Sequence, residues 1–280
     1  MKLGLALAGG GIRGIAHAGV IKALEENNIK IDFLGGTSSG SMIVALYSMG
    51  YSPDEIYNLF KKYGKTIVKL NGSVIRKEIK NFIINHKISS QGINSGEYIE
   101  EIFNKKALEK NIQKISQIKM PIVIPSVDIS SSKEYLFTSV KKENEKYISN
   151  IEIGKAVRAS SSFPIIYEPV SYKDKMFIDG GILNNIPVND LKEIGADKVI
   201  AVNFDSDKIK ETSNAIDITM KVLDVMGNKI SDEDLDESDY TITVPTNGTG
   251  LLDVNKIDFC YKSGYETTMK QIEKIREIIK

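Results

Sequence analysis

Apolar residues fill Leu3 to Ala8 without interruption, so both faces of that segment need covering, as in a central strand of a parallel sheet. From Ile12 to Glu26 the period changes, and Ala16, Val20, Ala23 and Leu24 fall on one face of a helix. Ile31 to Leu34 predicts a short second strand, and Ser39 to Met49 a second helix ending at Gly50. Ser52-Pro53-Asp54-Glu55 is a capping box with proline at the first helical position, which starts a third helix running toward Tyr63. Pro121 to Ile129 and Glu134 to Val140 read as strands joined by a turn over Ser130–Lys133. Ser149 and Glu152 supply another capping box, opening a helix toward Arg158. Met176 to Ile178, Lys198 to Phe204 and Tyr240 to Val244 complete the strands, and an amphipathic helix from about Asn255 closes the chain.

Alternation of this kind argues for an α/β fold, a sheet with helices on both faces. No linker, repeat or low-complexity tract interrupts residues 1–280, so one domain is expected. The N-terminal "MKLGLALAGG" imitates an export signal, but its apolar run is shorter than the roughly 7–15 residues required and glycines follow it. It reads better as a buried strand. No stretch approaches the roughly 20 apolar residues of a membrane span, so any membrane contact is expected to be peripheral.

Composition narrows the function classes. With 37 Lys+Arg against 37 Asp+Glu there is no global field to draw nucleic acid or an acidic partner. The lone cysteine, Cys260, cannot form an internal disulfide; it suits a reducing cytosol and reads as a small apolar packing residue. Two segments depart from the balance. Lys61 to Lys87 holds eight Lys/Arg and one acid, Glu78, with Ile75, Ile79, Phe82 and Ile83 at helical spacing. A membrane-surface helix has that pattern, as does an ordinary helix packed on the body. "SDEDLDESD", Ser231 to Asp239, alternates acids as a calcium loop does, but lacks the glycine and the glutamate such a loop needs, so a solvated acidic loop is expected.

Two glycine-rich turns carry the candidate chemistry. "AGGGIRG" follows the first strand and opens the first helix, and its Gly9-x-Gly11-x-x-Gly14 spacing fits a dinucleotide fingerprint. That reading needs an acid at the end of the second strand, whereas Asp32 lies at its beginning. The same loop would also serve another anion: exposed backbone N–H groups at a helix start stabilise an oxyanion in acyl transfer. Arg13 would add fixed charge or pin the loop. Gly36-Thr37-Ser38-Ser39-Gly40 fits G-x-S-x-G between a predicted strand and a predicted helix, the setting of a nucleophile elbow. Gly36 and Gly40 permit the tight turn, and Ser38 presents its hydroxyl.

A serine nucleophile needs a base. His17 falls beside the buried stripe of the first helix and suits packing, while His86 lies among polar residues and is expected to be exposed. No histidine follows His86, so the chain order of an ordinary α/β-hydrolase triad is missing. In "MFIDGGILNNIPV" an apolar strand runs into Asp179 and then Gly180-Gly181. A carboxylate there sits at the lip of a cleft, and desolvation would make it a better base.

Together, "GGGIRG", "GTSSG" and "DGG" resemble the patatin-like phospholipases, in order and spacing. Further similarity lies in "HAGVIKALEE", "AVRASSSFPIIYEPV" and "LNNIPV", so it covers most of residues 1–205. The resemblance implies a three-layer α/β/α sandwich with a mostly parallel sheet, and hydrolysis of phospholipid or other lipid acyl esters without metal or cofactor. It implies Ser38 as nucleophile and Asp179 as general base, without a catalytic histidine. The oxyanion hole would come from the loop of Gly9, Gly10, Gly11 and Gly14, above all the Gly10 and Gly11 amides, supported by Arg13. Asn185 and Pro187 would be structural. The expected protein is a cytoplasmic serine lipid acyl hydrolase, peripheral at most on membranes and with no nucleic-acid partner. A dinucleotide-binding protein and a catalytically inactive lipid-binding module are the alternatives.

Overall fold

A computed structural model of the protein describes residues 1–68, 72–73, 76–77, 91–205, 222, 225–227, 229, 231–232 and 234–280. Strand β1 (Leu3–Leu7) is buried at every position. It pairs in parallel with β2 (Phe33–Gly36) on one side and with β10 (Lys198–Phe204) on the other. β11 (Tyr240–Val244) extends the sheet beyond β10. Beyond β2 lie β4 (Ile122–Asp128), β5 (Lys133–Thr138) and β6 (Tyr147–Ile148). β8 (Val170–Tyr172) and β9 (Lys175–Asp179) complete this nine-stranded sheet, and β3 (Gly92–Asn94) pairs with β7 (Ile165–Tyr167) in a separate two-stranded one. Pairing is parallel except where β4 meets β5 and β9, and where β8 meets β9.

The expected second strand ended at Leu34; in the structure β2 continues through Gly35 and Gly36, which are poor strand formers. Tertiary packing overrides the propensity. A Cβ on Gly35 would meet Pro187 and Leu191, and one on Gly36 would meet Gly40 and Val44. Helices therefore press on both faces of β2: α2 (Ser39–Ser48) on one, α6 (Val188–Glu193) on the other. The expected sandwich of a mostly parallel sheet between helices is the observed one.

On the helical layers, α1 (Ala16–Glu26) packs closely on α7 (Ile257–Met269), since a Cβ on Gly19 would stand 2.1 Å from the Tyr261 carbonyl oxygen. The Ser52–Glu55 capping box is formed at the start of α3 (Pro53–Ile67). The Ser149–Glu152 box is not formed: α5 (Ile153–Ser160) starts later than expected, with Glu152 itself at the N-cap and making no cap bond, its Oε2 accepting instead from Asn104 Nδ2 of α4 (Glu97–Glu109) at 3.1 Å. The acidic stretch also differs from expectation. Its described residues from 231 to 237 are helical rather than looped, and their acids meet Lys229, Asn189 and Lys192. No metal-holding cluster of His, Cys, Asp and Glu occurs among the described residues. No described helix is long and apolar enough to cross a membrane.

The sheet's topology creates one special place. β4 gives one edge to β5 along its whole length, so β2 and β9 must share the other. β2 pairs near the start of β4, with Gly35 beside Val123; β9 runs the opposite way and ends with Asp179 beside Ser126. Three residues of extended β4, about 10 Å, separate the two pairings. The chain leaving β2 and the chain leaving β9 thus turn out of the sheet at the same fork.

Candidate active site

Ser38 stands at that fork, between β2 and α2, with φ 53° and ψ −120°. Serine rarely adopts a positive φ, and such a residue carries strain of about 1–3 kcal/mol, which surrounding structure must hold. The holding bonds are visible. The Gly40 amide donates to Thr37 O at 2.8 Å, and Thr37 Oγ1 donates to Asn184 O at 2.9 Å. The Ser38 amide donates to Ser160 Oγ at 3.1 Å, and the Ser38 carbonyl accepts from Ser41 Oγ at 2.5 Å and Ser161 Oγ at 3.2 Å. Gly40 must lack a side chain because its Cβ would lie 2.6 Å from Leu7 O. Gly36 lets the helix lie close on the strand from the other side of the turn.

Asp179 ends β9 and is almost wholly buried, at 2% exposure. Its Oδ1 accepts the Gly181 amide at 2.9 Å, and its own amide donates to Ser162 O at 3.1 Å. Oδ2 is buried with no hydrogen-bond partner. Desolvation raises the Asp179 pKa from 3.8 to about 6, against the opposing pull of the Ser38 hydroxyl and the Gly181 amide. The Ser38 hydroxyl thus lies close enough to the carboxyl to lower its pKa, though no hydrogen bond of ordinary geometry joins it to Oδ2. Gly180 lies so close to β4 that a Cβ there would stand 2.4 Å from Pro125 O.

The glycine loop closes the third side. Gly11 takes φ +59° and packs with its α-carbon facing the Leu251 carbonyl, so only glycine fits. The Gly9 amide is occupied: it donates to Asn185 Oδ1 at 3.0 Å and Asn185 O at 3.3 Å. Asn185 thus fixes the position of Gly9 in the loop. Gly14 is a packing residue, pressed on the Ser39 side chain and away from the cleft lining. Arg13 is buried and pins the loop, its Nε donating to Gly10 O at 3.1 Å and its guanidinium lying 5.5 Å from the Phe204 ring centroid. Among the described residues the Gly10 and Gly11 amides meet no protein acceptor.

Gly9, Gly10, Gly11, Ser38, Asp179 and Gly181 all line one cleft of about 1010 Å³, counting its open mouth. The remaining wall is chiefly apolar, with Met42, Phe60, Ile67, Phe163, Ile166 and Leu251. Ile67 and Val68, from the basic Lys61–Lys87 segment, also line the cleft; that segment's apolar stripe from Ile75 to Ile83 lies outside the described residues, as does His86. His17 does not line the cleft. It is fully buried, bonds through Nε2 to Ala8 O at 2.8 Å, and has its pKa lowered to about 4 by desolvation. Asp32 precedes β2 at the far end of the sheet, where Oδ2 accepts the Leu3 amide and Oδ1 meets Lys30. It cannot reach a ligand on the glycine loop, so the dinucleotide reading lacks its ribose-binding acid.

Asn185, expected to be structural, tethers Gly9, and a support with no role assigned from sequence, the run Ser160–Ser162, contacts Ser38 and Asp179. The local signal for that run is "SSS" before "FP", within the stretch "AVRASSSFPIIYEPV".

Among curated proteins, the chain is 32% identical over 204 residues to the lysophospholipase NTE1 of Scheffersomyces stipitis, covering 73% of this chain and 12% of that protein. It is also 32% identical over 205 residues to the NTE1 lysophospholipase of Candida albicans, covering 73% and 13%. The chain thus spans about an eighth of the length of these relatives. Among solved structures, VipD from Legionella pneumophila aligns with TM-score 0.52 at 14% identity, over 98% of this chain and 66% of VipD. ExoU, solved with SpcU from the type III secretion system of Pseudomonas aeruginosa, gives TM-score 0.53 at 19% identity, over 98% and 51%. These two likenesses speak for the fold. The patatin-like phospholipase family model matches residues 5–192, from β1 through the helix that follows Asp179. With more than half of its length matched in this way, the chain belongs to the patatin-like phospholipase family.

Proposed function

We propose that the protein is a lipid acyl hydrolase in which Ser38 and Asp179 form the catalytic dyad. The observation that carries this reading is Asp179 Oδ2, a buried carboxylate oxygen without a partner beside a serine on a strained turn. Leaving such an atom unpaired is costly, and a proton acceptor needs that vacancy. With a pKa of about 6 the carboxyl is mostly ionised near neutrality, yet far more basic than an exposed aspartate.

In the first half-reaction Ser38 Oγ attacks the ester carbonyl carbon and its proton passes to Asp179. The carbonyl oxygen becomes an oxyanion and accepts hydrogen bonds from the Gly10 and Gly11 amides. Collapse breaks the acyl–oxygen bond, and the leaving alcohol takes the proton from Asp179. Water then enters, gives a proton to Asp179 and attacks acyl-Ser38; collapse returns the proton to Ser38 Oγ and frees the fatty acid. The apolar wall suits an acyl chain, so phospholipid or lysophospholipid is the proposed substrate class, met at a membrane surface that the protein touches only peripherally.

Acyl release from lysophospholipid, diacyl phospholipid and a soluble short-chain ester tests this. Wild type should hydrolyse at least one. Ser38→Ala and Asp179→Asn should each lower the rate on the order of 10⁴-fold while staying folded. Full activity in either variant contradicts the dyad. Vesicle binding without any acyl release by wild type points instead to a lipid-binding module.

A further inference from the structure

Ser38 and Asp179 come from different strands, and one short run touches both. We infer that Ser160 and Ser161 are positioning residues that, with the backbone of Ser162, clamp the nucleophile and the base at a fixed separation. The inference rests on the dyad reading above. β2 ends at Gly36, so no strand partner remains for the Ser38 amide; Ser160 Oγ takes it instead, at 3.1 Å. Ser161 Oγ donates to the Ser38 carbonyl at 3.2 Å. One residue further, the Ser162 carbonyl accepts the Asp179 amide at 3.1 Å.

The run is itself rigid. It is the C-terminal end of α5, where the Ser161 amide bonds to Val157 O and Arg158 O, at 3.0 and 3.1 Å. The Ser162 amide bonds to Ala159 O at 3.2 Å, and Ser162 Oγ to Arg158 O at 2.9 Å. All three serines are buried. Alanine has a higher helix propensity at such positions and buries no polar atom, so these hydroxyls need a reason to be there. For Ser160 and Ser161 the reason is the turn at Ser38, whose φ of 53° would relax if its amide and carbonyl were released. Relaxation moves Oγ relative to Asp179, and a displacement of about 1 Å in such a pair can slow reaction on the order of 10²-fold.

A double-mutant cycle separates positioning from general support. The readouts are the rate of fluorophosphonate labelling at Ser38, together with kcat and KM for a soluble ester, in wild type, Ser160→Ala, Asp179→Asn and the double variant. Ser160→Ala should slow labelling and kcat by about 10- to 100-fold, with KM within about twofold of wild type. In the Asp179→Asn background it should cost less than about threefold, because the separation it controls no longer matters. Equal losses in both backgrounds, or a Ser160→Ala enzyme with wild-type kcat, overturn the clamp. Ser161→Ala carries the same cycle if Ser160→Ala does not fold. Its loss should be smaller, since the Ser38 carbonyl keeps Ser41, and a loss independent of Asp179 refutes the clamp equally. A wild type that never labels at Ser38 sinks the dyad and the clamp together; labelling that ignores Ser160 and Ser161 sinks the clamp alone.

Discussion

Replacing Asp179 by asparagine should remove a pH-dependent penalty on folding together with the activity. Burial raises the carboxyl pKa from 3.8 to about 6. Below pH 3.8 the group is neutral in folded and unfolded chains alike, and no penalty arises. As pH rises toward 6 the unfolded chain gives up its proton while the folded one keeps it, so stability falls; above 6 the penalty is complete and constant. A displacement of that size corresponds to about 3 kcal/mol. Asparagine keeps an oxygen for the Gly181 amide and never ionises. Its extra amide hydrogens add an offset in the absence of a partner, but that offset does not vary with pH. His17, whose lowered pKa makes both proteins less stable as pH falls from 6.5 toward 4, also cancels in the difference. Urea unfolding at several pH values between 3.5 and 8 measures the effect. The stability of Asp179→Asn relative to wild type should climb by about 3 kcal/mol across that range, equivalent to roughly 6 °C in midpoint, and should level off above pH 7. A difference that stays flat, or that climbs only above pH 7, would refute the picture of a dehydrated carboxyl.

The activity should share the same titration: kcat/KM for a soluble ester falls below an apparent pKa near 6, as the protonated Asp179 can no longer accept from Ser38. His17→Gln should lower the melting temperature by a few degrees, consistent with about 1–3 kcal/mol for a buried polar disturbance, while that pH midpoint stays put. A midpoint that vanishes with His17 would name the wrong base. Gly11→Ala should both destabilise the protein by more than about 1 kcal/mol and abolish labelling, because a left-handed residue facing the Leu251 carbonyl has no room for a methyl group. Phe163→Ala should raise KM for long-chain esters roughly 10-fold or more, from about 1.5–3 kcal/mol of lost apolar contact, and leave short-chain esters nearly unchanged.

Much of the layered fold was legible because its signals are local. The apolar run of β1 and the Ser52–Glu55 box each carry their own instruction, and both elements lie where the sequence puts them. Three-residue strands were not legible. Gly92–Asn94 and Ile165–Tyr167 pair only with each other, across more than 70 residues, and neither shows a strand pattern alone. Gly35 and Gly36 hide the end of β2, since their place in the sheet is decided by helices packing above and below. The acids from 231 to 237 masked a helix whose partners are Asn189 and Lys192. At the site, the Ser38 and Asp179 motifs stood out because each marks a strand end followed by glycine or small residues. The tether at Asn185 and the contacts of Ser160 and Ser161 depend on bonds spanning more than 100 residues, which no local pattern announces.

The dyad stands or falls on covalent labelling followed by peptide mapping. Wild type treated with a fluorophosphonate should gain a single adduct on the peptide containing Ser38, at a rate that rises through about pH 6. Asp179→Asn should label on the order of 10³-fold more slowly or not at all. An adduct on any other residue, or an Asp179→Asn protein labelled at the wild-type rate, would contradict the account.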